Sequence, residues 1–371
     1  MKHSWRIGKI FGIDIYIDSS WIVIFVLFSW VLAGNYFPHK YTTWSPSLYW
    51  LVGIATSLLI FVSVLIHELA HSLVAITQGE KVRNITLFIL GGVAQISEEP
   101  KSPMKEFFMA LVGPLASLVI GIIFFVLAVL SRGLNVQVSA SASYLGLINV
   151  ALAVFNLMPG FPMDGGRILR SIIWQLSGNL NKATKIASKT GQGFAFFLIF
   201  IGIFQIFRGS LSGLWLIFIG WFLHSAAVRG YHRVIMESML KGVRAEDLMN
   251  KDFETVRSEM TVQELVDDHV LKKKERVFFV EDNNNLQGIV CLEDVKAVPR
   301  QEWPLKKVEE IMTPREKLLF VSPEADGRKI LNSLTAKDIH QIPVIEGDKI
   351  RGIICRSDVL RFIQLRSELG A

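Results

Sequence analysis

Long apolar runs, broken by short polar stretches, fill the chain from about residue 20 to residue 228. Six candidate spans emerge, at about 20–34, 48–78, 107–131, 143–161, 193–208 and 211–228. A helix crossing a bilayer needs about 20 mostly apolar residues, and the longer runs meet that length. The first and fifth are short, and only Gly209-Ser210 separates the last two, which reads as a tight helical hairpin. Between the second and third spans the pattern changes. Gly79 ends a helix in the manner of a C-terminal cap. Residues 84–90 and 93–96 then read as strands around Gly91-Gly92, predicting a β-hairpin at the membrane face. Such a hairpin either only packs, or offers an edge strand to an extended peptide. From residue 241 to 371 charges are dense and the pattern is that of a soluble domain.

The soluble part is internally duplicated. Ala245-Glu246-Asp247-Leu248-Met249 aligns with Glu309-Glu310-Ile311-Met312, and residues 288–295 align with residues 352–359. Each unit reads helix, strand, strand, helix, and duplication at a constant spacing marks one fold unit used twice. The division predicted is residues 1–230 as a membrane domain, 231–245 as a linker, and 246–371 as the duplicated tail, with repeats at about 246–299 and 308–365.

Composition agrees with this split. The chain of 371 residues is 51% hydrophobic and 19% charged, below the roughly 25% charge usual for soluble proteins. Its net charge of +6 is read through the positive-inside rule rather than as a nucleic-acid surface, since no basic face with interleaved aromatics is present. Six spans put both termini on one side. That side gathers Lys2, Arg6, Lys9, Lys81, Arg83, Lys101, Lys105, Arg167, Arg170, Lys182, Lys185, Lys189, Arg229, Arg233 and Lys241, against Lys40, Arg132 and Arg208 opposite. Both termini and the tail are thus expected in the cytoplasm. The first 19 residues are mixed and polar, so the first span is expected to be an uncleaved anchor. The two cysteines, Cys291 and Cys355, lack the spacing of a zinc ribbon or redox pair.

The second span contains His67-Glu68-Leu69-Ala70-His71. Ionisable residues inside a membrane helix are costly, and their usual meaning is function. Residues four apart share a helix face, so both histidines can ligate one metal with Glu68 beside them as general base. A catalytic zinc takes three protein ligands, so a third is required. Asp164 lies at comparable depth on the fourth span, after Pro159-Gly160-Phe161-Pro162 breaks the helix, and Gly165-Gly166 permits close backbone approach. The alternative for Asp164 is the N-cap of a following helix. Asn156 could satisfy freed backbone groups near the prolines or hold a substrate carbonyl. His224 reads as a packed or interfacial histidine, and His3, His39, His232, His269 and His340 lie outside the spans with no partner motif.

The His67–His71 motif, together with the segment from Asn156 to Gly166, resembles the site-2 protease family of intramembrane zinc metalloproteases. The Gly113-Pro114-Leu115-Ala116-Ser117 turn is also similar, with Ser117 where many members have Asn. The resemblance covers roughly residues 1–230. It implies a polytopic α-helical membrane domain of about six transmembrane helices with a membrane-associated β-hairpin, and one zinc per chain. It implies His67, His71 and Asp164 as ligands, Glu68 as catalytic base, and Asn156 assisting substrate or oxyanion binding. The implied activity is cleavage of single-pass transmembrane proteins or peptides by an enzyme seated in membrane lipid.

The tail resembles a tandem CBS-domain pair, an α/β module. In that family a Gly-x-x-Ser/Thr-x-x-Asp segment contacts adenine nucleotide. Asp294 and Asp358 match the acid, while Cys291 and Cys355 stand at the hydroxyl position, and a thiol is the weaker hydrogen-bond partner. The tail therefore reads either as a nucleotide sensor or as a homodimerisation module without ligand. Two competing functions are a CBS-regulated transporter or channel and an inactive membrane scaffold. Repeated membrane halves, common in transporters, are not evident, and the complete ligand set argues against a scaffold.

Overall fold

The computed structural model describes residues 4–89, 91–96, 100, 102–273, 275–282, 285–336, 339–347 and 349–369. Lys2, His3, Leu90 and Lys101, used above, lie outside the described residues. The chain forms two compact units, Met1–Val234 and Ile235–Ala371.

Among the described residues of the first unit, six helices are long and apolar enough to cross a membrane. They are α1 (Ser19–Lys40), α2 (Pro46–Thr77), α3 (Pro103–Ser131), α4 (Val136–Asn156), α6 (Leu180–Phe207) and α7 (Gly213–Met239). A shorter helix, α5 (Asp164–Ser177), stands between α4 and α6. Sequence signals start several of these helices. Ser45 accepts from Leu48 N ahead of Pro46, and Asn135 and Asn179 cap α4 and α6. Apolarity alone misjudged two starts. Helix α4 begins at Val136 rather than near 143, because its hydroxyls bond inward: Ser139 Oγ donates to Ala128 O and Ser143 Oγ to Ser139 O. Helix α6 begins at Leu180, so the apolar run from 193 is only its C-terminal portion. The segment proposed as a linker, 231–245, is helical through Met239.

The expected hairpin is half of a larger sheet. Strands β1 (Ser4–Ile10), β2 (Ile13–Asp18), β3 (Val82–Phe88) and β4 (Gly91–Ile96) pair in the order β1-β2-β3-β4. Gly91 and Gly92 lie within β4 rather than forming the turn. In the sequence the residues of the first two strands read only as mixed and polar, because Arg6, Lys9 and Asp14 mask a period of two. The face that counts is Ile13 and Ile15, buried with Leu69 of α2 and Ile85 of β3. Strands β2 and β3 run parallel, Asp14 opposite Asn84 and Ile17 opposite Leu87. The sheet is thereby seated on the end of α2 that carries Leu69, two residues from each histidine.

In the second unit, β5 (Glu254–Val256), β6 (Val277–Asp282), β7 (Asn285–Cys291) and β8 (Thr313–Pro314) form one sheet, and β9 (Gln341–Glu346) with β10 (Lys349–Cys355) forms another. The duplicated strands occupy equivalent places, each followed by a helix, at Leu292–Lys296 and Arg356–Glu368. Two cores form, and each takes residues from the other repeat: Leu248 packs in the core of the second and Val308 in that of the first. Phe278, Val280 and Val290 centre the first, and Ile342, Val344 and Ile354 the second.

Candidate metal centre

His67 and His71 are buried on one face of α2, as their spacing dictates. Their Nε2 atoms lie 3.1 Å apart, and each is 3.2 Å from Oδ2 of Asp164 at the start of α5. These three are the metal-competent cluster found among the described residues. Asp164 is the first residue of its helix; Met163 occupies the N-cap, so the capping role is not what Asp164 performs.

The far side of each imidazole decides how the near side behaves. His71 Nδ1 donates to the backbone carbonyl of Met109 at 2.6 Å, and a carbonyl can only accept. A neutral His71 therefore turns a lone pair at Nε2 toward the other two groups. His67 Nδ1 is bonded to Ser117 Oγ at 2.9 Å. When His67 donates Nδ1–H to that hydroxyl, its Nε2 is an acceptor too, and three acceptors facing one another at 3.1–3.2 Å repel unless a cation sits among them. Two ligand atoms on a tetrahedral zinc, at bonds of 2.0–2.1 Å, are about 3.3 Å apart. The donor set and its spacing fit zinc, and the outer partners orient the rings as metal-bound histidines require.

Helix α3 is the wall behind this cluster. Gly113 has no Cβ because His71 occupies that place; a Cβ there would lie 2.1 Å from Nε2. Pro114, inside α3, frees the carbonyl of Ala110 from its helix bond. Glu68, the next residue after His67, points toward β4. A Cβ on Gly92 would lie 2.5 Å from its Cγ, and the Ala94 backbone hydrogen-bonds its carboxylate. His67, Asp164 and Arg167 are its titratable neighbours. Asn156 is the half-buried last residue of α4, opening the loop that leads to Asp164. His224 packs against the Phe196 ring at 5.0 Å.

Comparison with known proteins meets this geometry. The model of peptidase family M50 matches residues 55–137 and 132–200, and that of the CBS domain matches 245–299 and 308–365. The zinc metalloprotease MJ0392 of Methanocaldococcus jannaschii is 33% identical over 374 residues, covering 100% of this chain and 99% of that protein. A protein of Synechocystis sp., named as a zinc metalloprotease, is 33% identical over 98% of this chain and 96% of its own length. The chain belongs to peptidase family M50. The solved site-2 protease from Methanocaldococcus jannaschii is 31% identical, covering 62% of this chain and 95% of that one, with a TM-score of 0.43. This M50 member is an integral membrane metalloprotease carrying a pair of CBS domains. The transporter and scaffold readings fall away with that membership.

In the CBS pair of this M50 protease, Asp294 and Asp358 sit at matching helix starts. Asp294 Oδ2 accepts from Cys291 N at 2.8 Å and from Cys291 Sγ at 2.9 Å, and Asp358 Oδ2 accepts from Cys355 N at 2.9 Å. The thiol thus uses its donor on the acid, in place of a hydroxyl. Burial, followed by the neighbouring aspartate, pushes the Cys291 thiol up to about 11 and the Cys355 thiol up to about 12. A cleft joins the two repeats, lined by Arg276, Glu293, His340, Cys355, Arg356 and Ser357.

Proposed function

We propose that this chain hydrolyses peptide bonds of single-pass transmembrane proteins or peptides, with His67, His71 and Asp164 holding one zinc and Glu68 as the general base. The observation that carries the reading is the convergence of His67 Nε2, His71 Nε2 and Asp164 Oδ2, with His71 committed to Nε2 by its bond to Met109 O. Bound zinc supplies a Lewis acid that acidifies water and polarises a carbonyl. Glu68 takes the proton as water adds to the scissile carbonyl carbon, then delivers it to the departing nitrogen as the C–N bond breaks. The products are a carboxylate and an amine. The Met109 carbonyl holds His71 in one tautomer, and Ser117 fixes the orientation of His67. Asn156 assists by holding a substrate carbonyl. Strand β4, an edge of the sheet beside Glu68, offers backbone groups to a substrate segment unwound from its helix. The lysine and arginine bias supports an orientation with both termini and the CBS pair in the cytoplasm and the spans in the cell membrane.

Adenine nucleotide is the ligand proposed for the CBS cleft, where Arg276, Arg356 and His340 suit phosphates; Asp294 and Asp358 are the acids proposed for ribose from the family's segment. The CBS pair is also the proposed homodimer contact. Titration of full-length protein with ATP and AMP tests the first idea, and no heat with either removes it.

The test of the main reading is Glu68→Gln. Purified mutant should retain zinc and lose cleavage of a model transmembrane substrate. Retained cleavage would remove Glu68 from its role, and wild-type protein that binds no zinc would remove the metal assignment.

A further inference from the structure

Four residues run in a stripe along α3, and each touches the metal centre or its support. Ser117 bonds His67, Gly113 faces His71, Met109 O receives His71, and Glu106 reaches α5. The last contact is a fully buried ion pair. Glu106 is 0% exposed and Arg170 4%, with Arg170 Nε donating to Glu106 Oε1 at 2.7 Å. Arg167, one turn nearer Asp164, lies 3.8 Å from the same oxygen and directs Nη2 at Met109 Sδ, 3.3 Å away. The Arg170 guanidinium also covers the Phe161 ring at 5.1 Å, in the loop that precedes Asp164.

Packing alone does not call for charge here. Apolar residues hold two helices together as well as a buried ion pair does, without its desolvation cost. What a directional pair adds, here Nε and Nη2 of Arg170 both reaching Glu106 Oε1, is a fixed rotation and register. Helix α5 needs that restraint, since it has only 14 residues and follows a loop rich in glycine and proline. A turn of about 20° about its axis would swing a side-chain atom about 5–6 Å off the axis by about 2 Å, enough to lose a ligand.

We infer that Glu106 and Arg170 are positioning residues that clamp α5 on α3 and so set where Asp164 meets His67 and His71. The inference rests on those three residues being the zinc ligands. Zinc affinity, read by chelator competition on full-length protein, should fall about ten- to a hundredfold in Glu106→Gln and in Arg170→Gln. The double variant should be no worse than the poorer single, and Arg170→Lys, which keeps the charge without the fork, should recover part of the loss. A second reading needs no metal. Spin labels on exposed Met104 and Leu176, placed as Met104→Cys and Leu176→Cys with Cys291→Ser and Cys355→Ser, report the α3–α5 distance in zinc-free protein. The distribution should be narrow with the pair intact and broad in Glu106→Gln. Folded variants with zinc affinity within about twofold of wild type, or an unchanged distance distribution, overturn the clamp. If Glu106→Gln does not fold, Arg170→Lys against Arg170→Gln decides by the same two readings. Wild-type zinc binding that survives His67→Ala would instead overturn the ligand assignment, and the spin-label result then stands or falls alone.

Discussion

Gly113 and His71 occupy the same space: a Cβ on the glycine would lie 2.1 Å from Nε2 of the histidine. Helix propensity by itself favours alanine at an internal helix position by about 1 kcal/mol. The clash reverses the sign, because relief requires either moving α3 off α2 or turning the His71 imidazole so that Nδ1 leaves Met109 O. Gly113→Ala should therefore lower zinc affinity at least about tenfold while keeping helix content. Chelator competition with circular dichroism checks it.

Gly92 makes the complementary case. A Cβ there meets Glu68 Cγ at 2.5 Å, and its three nearest atoms all belong to Glu68. Gly92→Ala should displace the proposed base and leave the metal in place. The expected outcome is unchanged zinc content with a fall in kcat exceeding any rise in KM, measured on a model transmembrane substrate.

Asp164→Asn keeps the side-chain shape and removes the charge that offsets a dication. Its loss of zinc affinity should exceed the roughly hundredfold that outer partners cost. Equal affinity in a titration of the two proteins would show that Asp164 is not a ligand.

The cysteines give a prediction in pH. Thiols pushed up to about 11 and about 12 stay protonated at pH 8, and the thiolate is the reactive species. Native protein should resist iodoacetamide at pH 8 at both Cys291 and Cys355, and react at both once denatured. Mass spectrometry of the two residues reads the result, and rapid native labelling of either would contradict it.

The centre was legible in the sequence where its residues declare themselves on one helix. His67, Glu68 and His71 need only helical spacing, and an acid after a proline break points to Asp164. Other parts carry no such mark. Met109 contributes a backbone carbonyl, which any residue has. Glu106 and Arg170 are 64 residues apart, so their pairing exists only once α5 lies on α3. The N-terminal strands were missed for a related reason. Their partner β3 follows two spans, and without it residues 4–18 show only a charged, weakly alternating pattern.

The parallel pairing of β2 with β3 also orders biogenesis. Parallel neighbours need a crossover connection, and here that connection is α1 and α2, a passage across the bilayer and back. Strand β2 leaves the ribosome first and finds no partner until both helices have inserted and β3 has followed. Until then Ile13 and Ile15 remain uncovered, so the floor beneath Glu68 closes only after the membrane has received the helix that bears it.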